Sequence, residues 1–168
     1  MKLLLALPLA LTLASCGGDT KTGDAKTGDA KTGDAKSSGG STLELPKVGL
    51  KADAPAGTEV GDVIGGGVGH MVQGPGLVVN VETASETAPK TVDDAKKESE
   101  MFDGVKNLKD EKLPDGWLIT FENVGGMGAN YHVNTRREID GKAITCNTMV
   151  STPEQQNNAV NFCKSLKK

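Results

Sequence analysis

Histidine is scarce in this chain: His70 and His132 are the only two. That scarcity removes much metal and general-base chemistry. A zinc site needs three or four ligands, typically with two of them at short helical or knuckle spacing, and no such set of His and Cys is present. No metal and no other cofactor is therefore expected. A Gly-x-Ser-x-Gly elbow is missing as well, which removes the usual setting of a serine nucleophile. No catalytic residue is assigned from motif.

A long apolar run is also lacking. The longest, Leu3 to Ala14, has twelve residues and is interrupted by Pro8 and Thr12, whereas a bilayer-spanning helix needs about 20. Nor is there an excess of basic charge. The chain carries 19 Lys and Arg against 22 Asp and Glu, and from Ser41 onward 14 against 18. No segment gathers the basic patch that a nucleic-acid binder requires, so nucleic acid is excluded as a partner. The same balance gives the body of the chain no attraction of its own to a membrane surface.

What is present at the N-terminus is a positive start at Lys2, the short apolar run, and then Leu13-Ala14-Ser15-Cys16 followed by abrupt polarity. This is the layout of a signal peptide. The four residues resemble the lipobox of bacterial envelope lipoproteins. That resemblance implies that residues 1–15 are removed, that Cys16 carries the lipid, and that the membrane is reached through this anchor. Gly17 stands where an Asp commonly retains such proteins at the inner membrane, so the resemblance implies the outer membrane rather than the inner.

Behind Cys16 come three copies of Lys-Thr-Gly-Asp-Ala, at 21–25, 26–30 and 31–35. The repeat has no large apolar side chain, so nothing offsets the entropy of ordering it. Residues 16–42 are expected to be the lipidated cysteine and a disordered tether. A calcium reading fails, because the five-residue period does not match the calcium nonapeptide and each Asp is neutralised by a Lys.

Residues 43–168 are expected to form one domain. Leu43 to Leu45 alternates as a short strand, two or three strands lie between Thr58 and Ser85, and Leu77 to Thr83 is the clearest of them. Gly65-Gly66-Gly67-Val68-Gly69-His70 lacks the helix start and the Lys that a phosphate loop needs. It reads as a hairpin turn, with His70 a loop residue. Thr91 to about Lys106 has the cap and spacing of a helix. The segment from Val105 or Leu108 to Leu113 is ambiguous. Trp117 to Val124, the strand with Tyr131, Val133 and Thr135, and the strand with Ile144 to Val150 are joined by turns, the last through Asp140-Gly141. Thr152, Pro153 and Gln155 open a final helix. The fold class is α+β: an antiparallel sheet of about five to seven strands with two helices packed on it, after a disordered N-terminal tether.

Cys146 and Cys163 both fall on faces expected to point inward, and an exported protein permits oxidation. They are expected to form a disulfide pinning the last helix to the sheet. On the other side of the hairpin, alternation places Asn130, His132, Asn134, Arg136 and Glu138 together, with Glu122 near His132. These residues form a possible binding surface, or simply the wet side of an antiparallel sheet.

The order of elements from Leu43 onward, with the C-terminal Cys146 and Cys163-Lys164-Ser165-Leu166, resembles small bacterial envelope lipoproteins of unassigned function. It is also similar to the PsbP-like fold, whose domains are mostly accessory binding modules. The resemblance implies a lipid-anchored, non-enzymatic module that binds an envelope protein or a surface component. Two alternatives stand beside it: a small hydrolase or transferase using His132 with Glu122 and Glu138, and a passive structural surface lipoprotein.

Overall fold

The computed structural model describes residues 40–126 and 128–168. The leader, Cys16 and the repeat lie outside the described residues. The first strand begins at Ser41, two residues before the expected start.

Strands β1 (Ser41–Leu45) and β2 (Leu50–Ala54) form a separate hairpin. The main sheet is antiparallel, with seven strands: β3 (Glu59–Asp62), β4 (Gly69–Gly74), β5 (Leu77–Thr83), β6 (Lys106–Leu113), β7 (Gly116–Gly125), β8 (Gly128–Ile139) and β9 (Lys142–Val150). They lie in the order β3-β4-β5-β9-β8-β7-β6. Helices α1 (Val92–Ser99) and α2 (Pro153–Ser165) complete the domain. The two-helix, antiparallel α+β architecture is thus the one expected. Among the described residues no helix is long and apolar enough to cross a membrane.

Local chemistry accounts for the joints. The side chains of Thr91 and Thr152 accept hydrogen bonds from the backbone N–H groups of Asp94 and Gln155, each at 3.2 Å, and so cap the two helices. Asp140 and Gly141 both have positive φ, 53° and 73°, the conformation a two-residue hairpin turn demands. The sheet's outer strand β6 carries Lys106, Lys109, Asp110, Glu111 and Lys112, charges that discourage strand addition at an exposed edge.

The larger core lies on one face of the sheet, under α2 and the β1–β2 hairpin. Leu45, Val79, Val81, Ile144 and Phe162 are buried there. Cys146 and Cys163 are joined across it, with Cα atoms 5.7 Å apart and a sequence separation of 17. Closing a loop of that length contributes about 3 kcal/mol in the chain-entropy model. A smaller core of Ala95, Trp117, Ile119 and Phe121 occupies the opposite face, under α1. The sheet is therefore covered on both faces where β7 and β8 run.

Two sequence expectations are corrected. Helix α1 ends at Ser99 rather than near Lys106. Gly104 takes a φ of +67°, turning the chain into β6, and Phe102 leaves the helix to pack on Phe121 and His132, with ring centroids 5.4 and 5.0 Å away. His70 is not a loop residue: it lies on β4 and is 5% exposed. Its Nε2 accepts from the backbone N–H of Lys47 at 3.0 Å and its Nδ1 lies 3.2 Å from the carbonyl of Gly61. A neutral imidazole with the proton on Nδ1 satisfies both. It fastens the turn of the β1–β2 hairpin to the main sheet.

Candidate functional site

Register decides which side chains share the α1 face. Directly opposed residues of antiparallel strands point the same way. One row therefore runs Asn80, Asn147, Asn134, Ile119, across β5, β9, β8 and β7. A second, parallel row runs Glu82, Thr145, Arg136, Trp117. Helix α1 covers only the β7 end of these rows, where Ala95 meets Trp117 and Ile119. The segment after β5 arches over the rest.

Beneath that arch is a half-open cavity of about 470 Å³, within the range usual for small-molecule sites. Asn134, Asn147 and Thr145 contribute to its floor, Glu82 and Glu98 stand at its sides, and Trp117 forms part of the wall. The indole N–H of Trp117 points to the carbonyl of Lys90 at 3.4 Å, so its contribution to the wall is carbon surface. Glu82 lies against Gly67 and Gly69, where any side chain would collide with it. The glycine-rich turn between β3 and β4 thus makes room for a carboxylate at the cavity edge.

Among the described residues, the amide side chains of Asn107, Asn123, Asn130 and Asn158 make hydrogen bonds with the protein, while those of Asn80, Asn134 and Asn147 on the sheet, like Asn157 and Asn161 on α2, make none. The three on the sheet are partly accessible rather than sealed. Asn134 and Asn147 line the cavity, and their unpaired amides have donors and acceptors to offer a ligand.

The polar residues of β8 do share one face, as alternation predicts, but they differ in burial and partners. His132 is 5% exposed, stacked on Phe121 with ring centroids 4.2 Å apart and planes inclined by 5°, and its Nε2 lies 2.8 Å from Asn123 Oδ1. Burial pushes its pKa below the ordinary imidazole value. Asn130 donates to the same Asn123 oxygen at 3.2 Å. Arg136 is mostly buried, with Nη2 3.4 Å from Glu138 and a buried Nη1 that has no hydrogen-bond partner among the described residues. Glu138 is exposed. Only Asn134 of the five lines the cavity.

Glu122 is opposed to Tyr131, not to His132, and its carboxylate receives the amide of Asn107 at 3.0 Å. It therefore occupies the other face of the sheet, and the expected pairing of His132 with Glu122 is not formed. Alternation groups Trp117, Ile119 and Phe121 on one face of β7 but does not say whether that is the face of His132. Register puts all four on one face, and the even-numbered residues of β7 on the other. Among the described residues no cluster of three or more His, Cys, Asp or Glu could hold a metal ion.

No family model matches the chain, and no curated protein does. Among solved structures it is similar to the solution structure of cyanobacterial PsbP (CyanoP) from Synechocystis sp. PCC 6803, at 15% sequence identity and a TM-score of 0.49, over 82% of this chain and 96% of that one. The likeness brings no site residue to this chain.

Sequence reasoning missed Asn147, Glu82, Glu98 and Trp117 as neighbours of Asn134 around one space. One signal was available: asparagine is depleted in strands, yet Asn80, Asn134 and Asn147 each stand in the middle of a clear one.

Proposed function

We propose that this chain is an accessory module of the bacterial envelope, held at a membrane by a lipid on Cys16 and acting by binding a protein or surface component rather than by catalysis. The observation that carries the binding role is the cavity on the α1 face, with the unpaired amides of Asn134 and Asn147 turned toward it. Polar groups that a fold leaves unsatisfied but accessible are inexpensive in water and available to a ligand. The lipobox resemblance supports the anchor, and the Lys-Thr-Gly-Asp-Ala repeat supplies length between lipid and domain. The outer membrane follows from Gly17 by the same resemblance.

The test is crosslinking and recovery of the full-length lipidated protein from intact envelopes, beside Asn134→Ala, Asn147→Ala and Cys16→Ser. The proposal expects a partner recovered with the unaltered protein and lost with both asparagine variants at unchanged thermal stability. Cys16→Ser should leave the membrane fraction, and its mass should lack the lipid. Recovery of the same partners by all variants would remove the cavity from the account. Recovery of none by the unaltered protein would favour a passive structural role.

A further inference from the structure

Resting on that binding role, we propose that the cavity of the α1 face takes a neutral, hydroxyl-rich ligand: one or two saccharide units of a surface glycan. The lining itself narrows the chemistry. Glu82 and Glu98 are the only charged side chains that line it, and they oppose an anionic ligand. A simple cation could take the carboxylates and the amide oxygens of Asn134 and Asn147, but it would offer no acceptor to their NH₂ groups. An apolar ligand would strand every one of these groups. Hydroxyl groups both donate and accept, so a polyol serves carboxylates, amides and the hydroxyl of Thr145 together. The carbon surface of Trp117 adds an apolar wall suited to the C–H face of a sugar ring. An extended peptide is a poorer match, because its backbone is recognised along strand edges, whereas this cavity lies on a sheet face.

The experiment is a titration of the ¹⁵N-labelled full chain with glucose, galactose, N-acetylglucosamine, lactose and chitobiose, with triglycine and lysine as controls. At least one saccharide is expected to move the side-chain amide signals of Asn134 and Asn147 and the indole signal of Trp117 to saturation. Asn134→Ala and Asn147→Ala should each weaken that binding about tenfold, the loss of one or two hydrogen bonds, with melting unchanged. Gly67→Ala, which displaces the Glu82 carboxylate without touching the floor, should weaken it as well. Failure of all five sugars to move these signals overturns the proposal, and so does a response to lysine or triglycine in their place. If the sugars fail while the asparagine variants still lose their envelope partner, the ligand class is wrong and the binding role stands. If both fail, the cavity has no part in binding.

Discussion

His132 lies flat against Phe121, ring on ring at 4.2 Å, with its Nε2 on the side-chain oxygen of Asn123. An oxygen acceptor there places a proton on Nε2, and it is burial that favours the neutral ring. Burial lowers the folded-state pKa below the unfolded one. The unfolded chain therefore binds the proton first as pH falls. Stability is full above the unfolded imidazole value of about 6.5 and is lost as pH drops through it toward the lower folded value. Denaturant midpoints measured from pH 7.5 to 5 should decline, and His132→Phe should flatten that part of the decline. An unchanged slope in the variant would rule this histidine out as its source.

Arg137 joins more of the domain than any other side chain described. Its Nε and Nη2 hold the carboxylate of Asp115 at 2.8 to 3.1 Å, while Nη1 donates to the carbonyls of Cys163, Lys164 and Leu166, each at 3.0 Å. It thus caps the C-terminal end of α2 and ties it to the β6–β7 turn. Arg137→Ala should cost roughly 2–4 kcal/mol, from a partly buried carboxylate and three carbonyls left without their donor. Arg137→Lys should recover only part of this, since a point charge cannot reproduce the fork. Urea denaturation of the three proteins checks the order.

Two glycines, Gly67 in the β3–β4 turn and Gly69 at the start of β4, should behave differently. A methyl group at Gly67 meets the tip of the Glu82 side chain, which can swing away; at Gly69 it meets the carbonyl of Val81 and the Cα of Glu82, which cannot. Gly69→Ala should destabilise by about 1–3 kcal/mol through overpacking. Gly67→Ala should stay within about 0.5 kcal/mol of the unaltered protein. Equal losses would mean that the Glu82 side chain is held as firmly as the backbone.

The capping residues Thr91 and Thr152, the turn at Asp140-Gly141 and the pairing of Cys146 with Cys163 were legible because each rests on neighbours in sequence or on one local face. His132 was misjudged for a different reason. Alternation along β8 tells which residues share a face, but not which face is dry, and here both faces are covered. The same limit hid the cavity. Its lining needs the register of Glu82 on Thr145 as well as of Asn147 on Asn134, a property of pairing across the chain rather than of any segment. The length of α1 was overestimated because the apolar spacing of Phe102 and Val105 continues past the point where Gly104 turns the backbone.

The strand order β3-β4-β5-β9-β8-β7-β6 also bears on how the domain assembles. Strands β3 to β5 pair with their immediate successors, as do β6 to β9. The two meanders meet along a single seam, Asn80–Thr83 against Thr145–Asn147 and Ile144, which closes a long loop of chain. Local hairpins form quickly, while pairing at such separation is entropically slow. The seam should therefore set the folding barrier. Val81→Ala, at the seam, should slow refolding, whereas Leu118→Ala, inside a local meander, should chiefly speed unfolding. Stopped-flow chevrons of the two variants separate these effects. Since Glu82 and Thr145 face each other across that same seam and both line the cavity, the β8–β9 hairpin can bring Asn134, Thr145 and Asn147 together early, but the cavity gains the Glu82 carboxylate only when the seam closes.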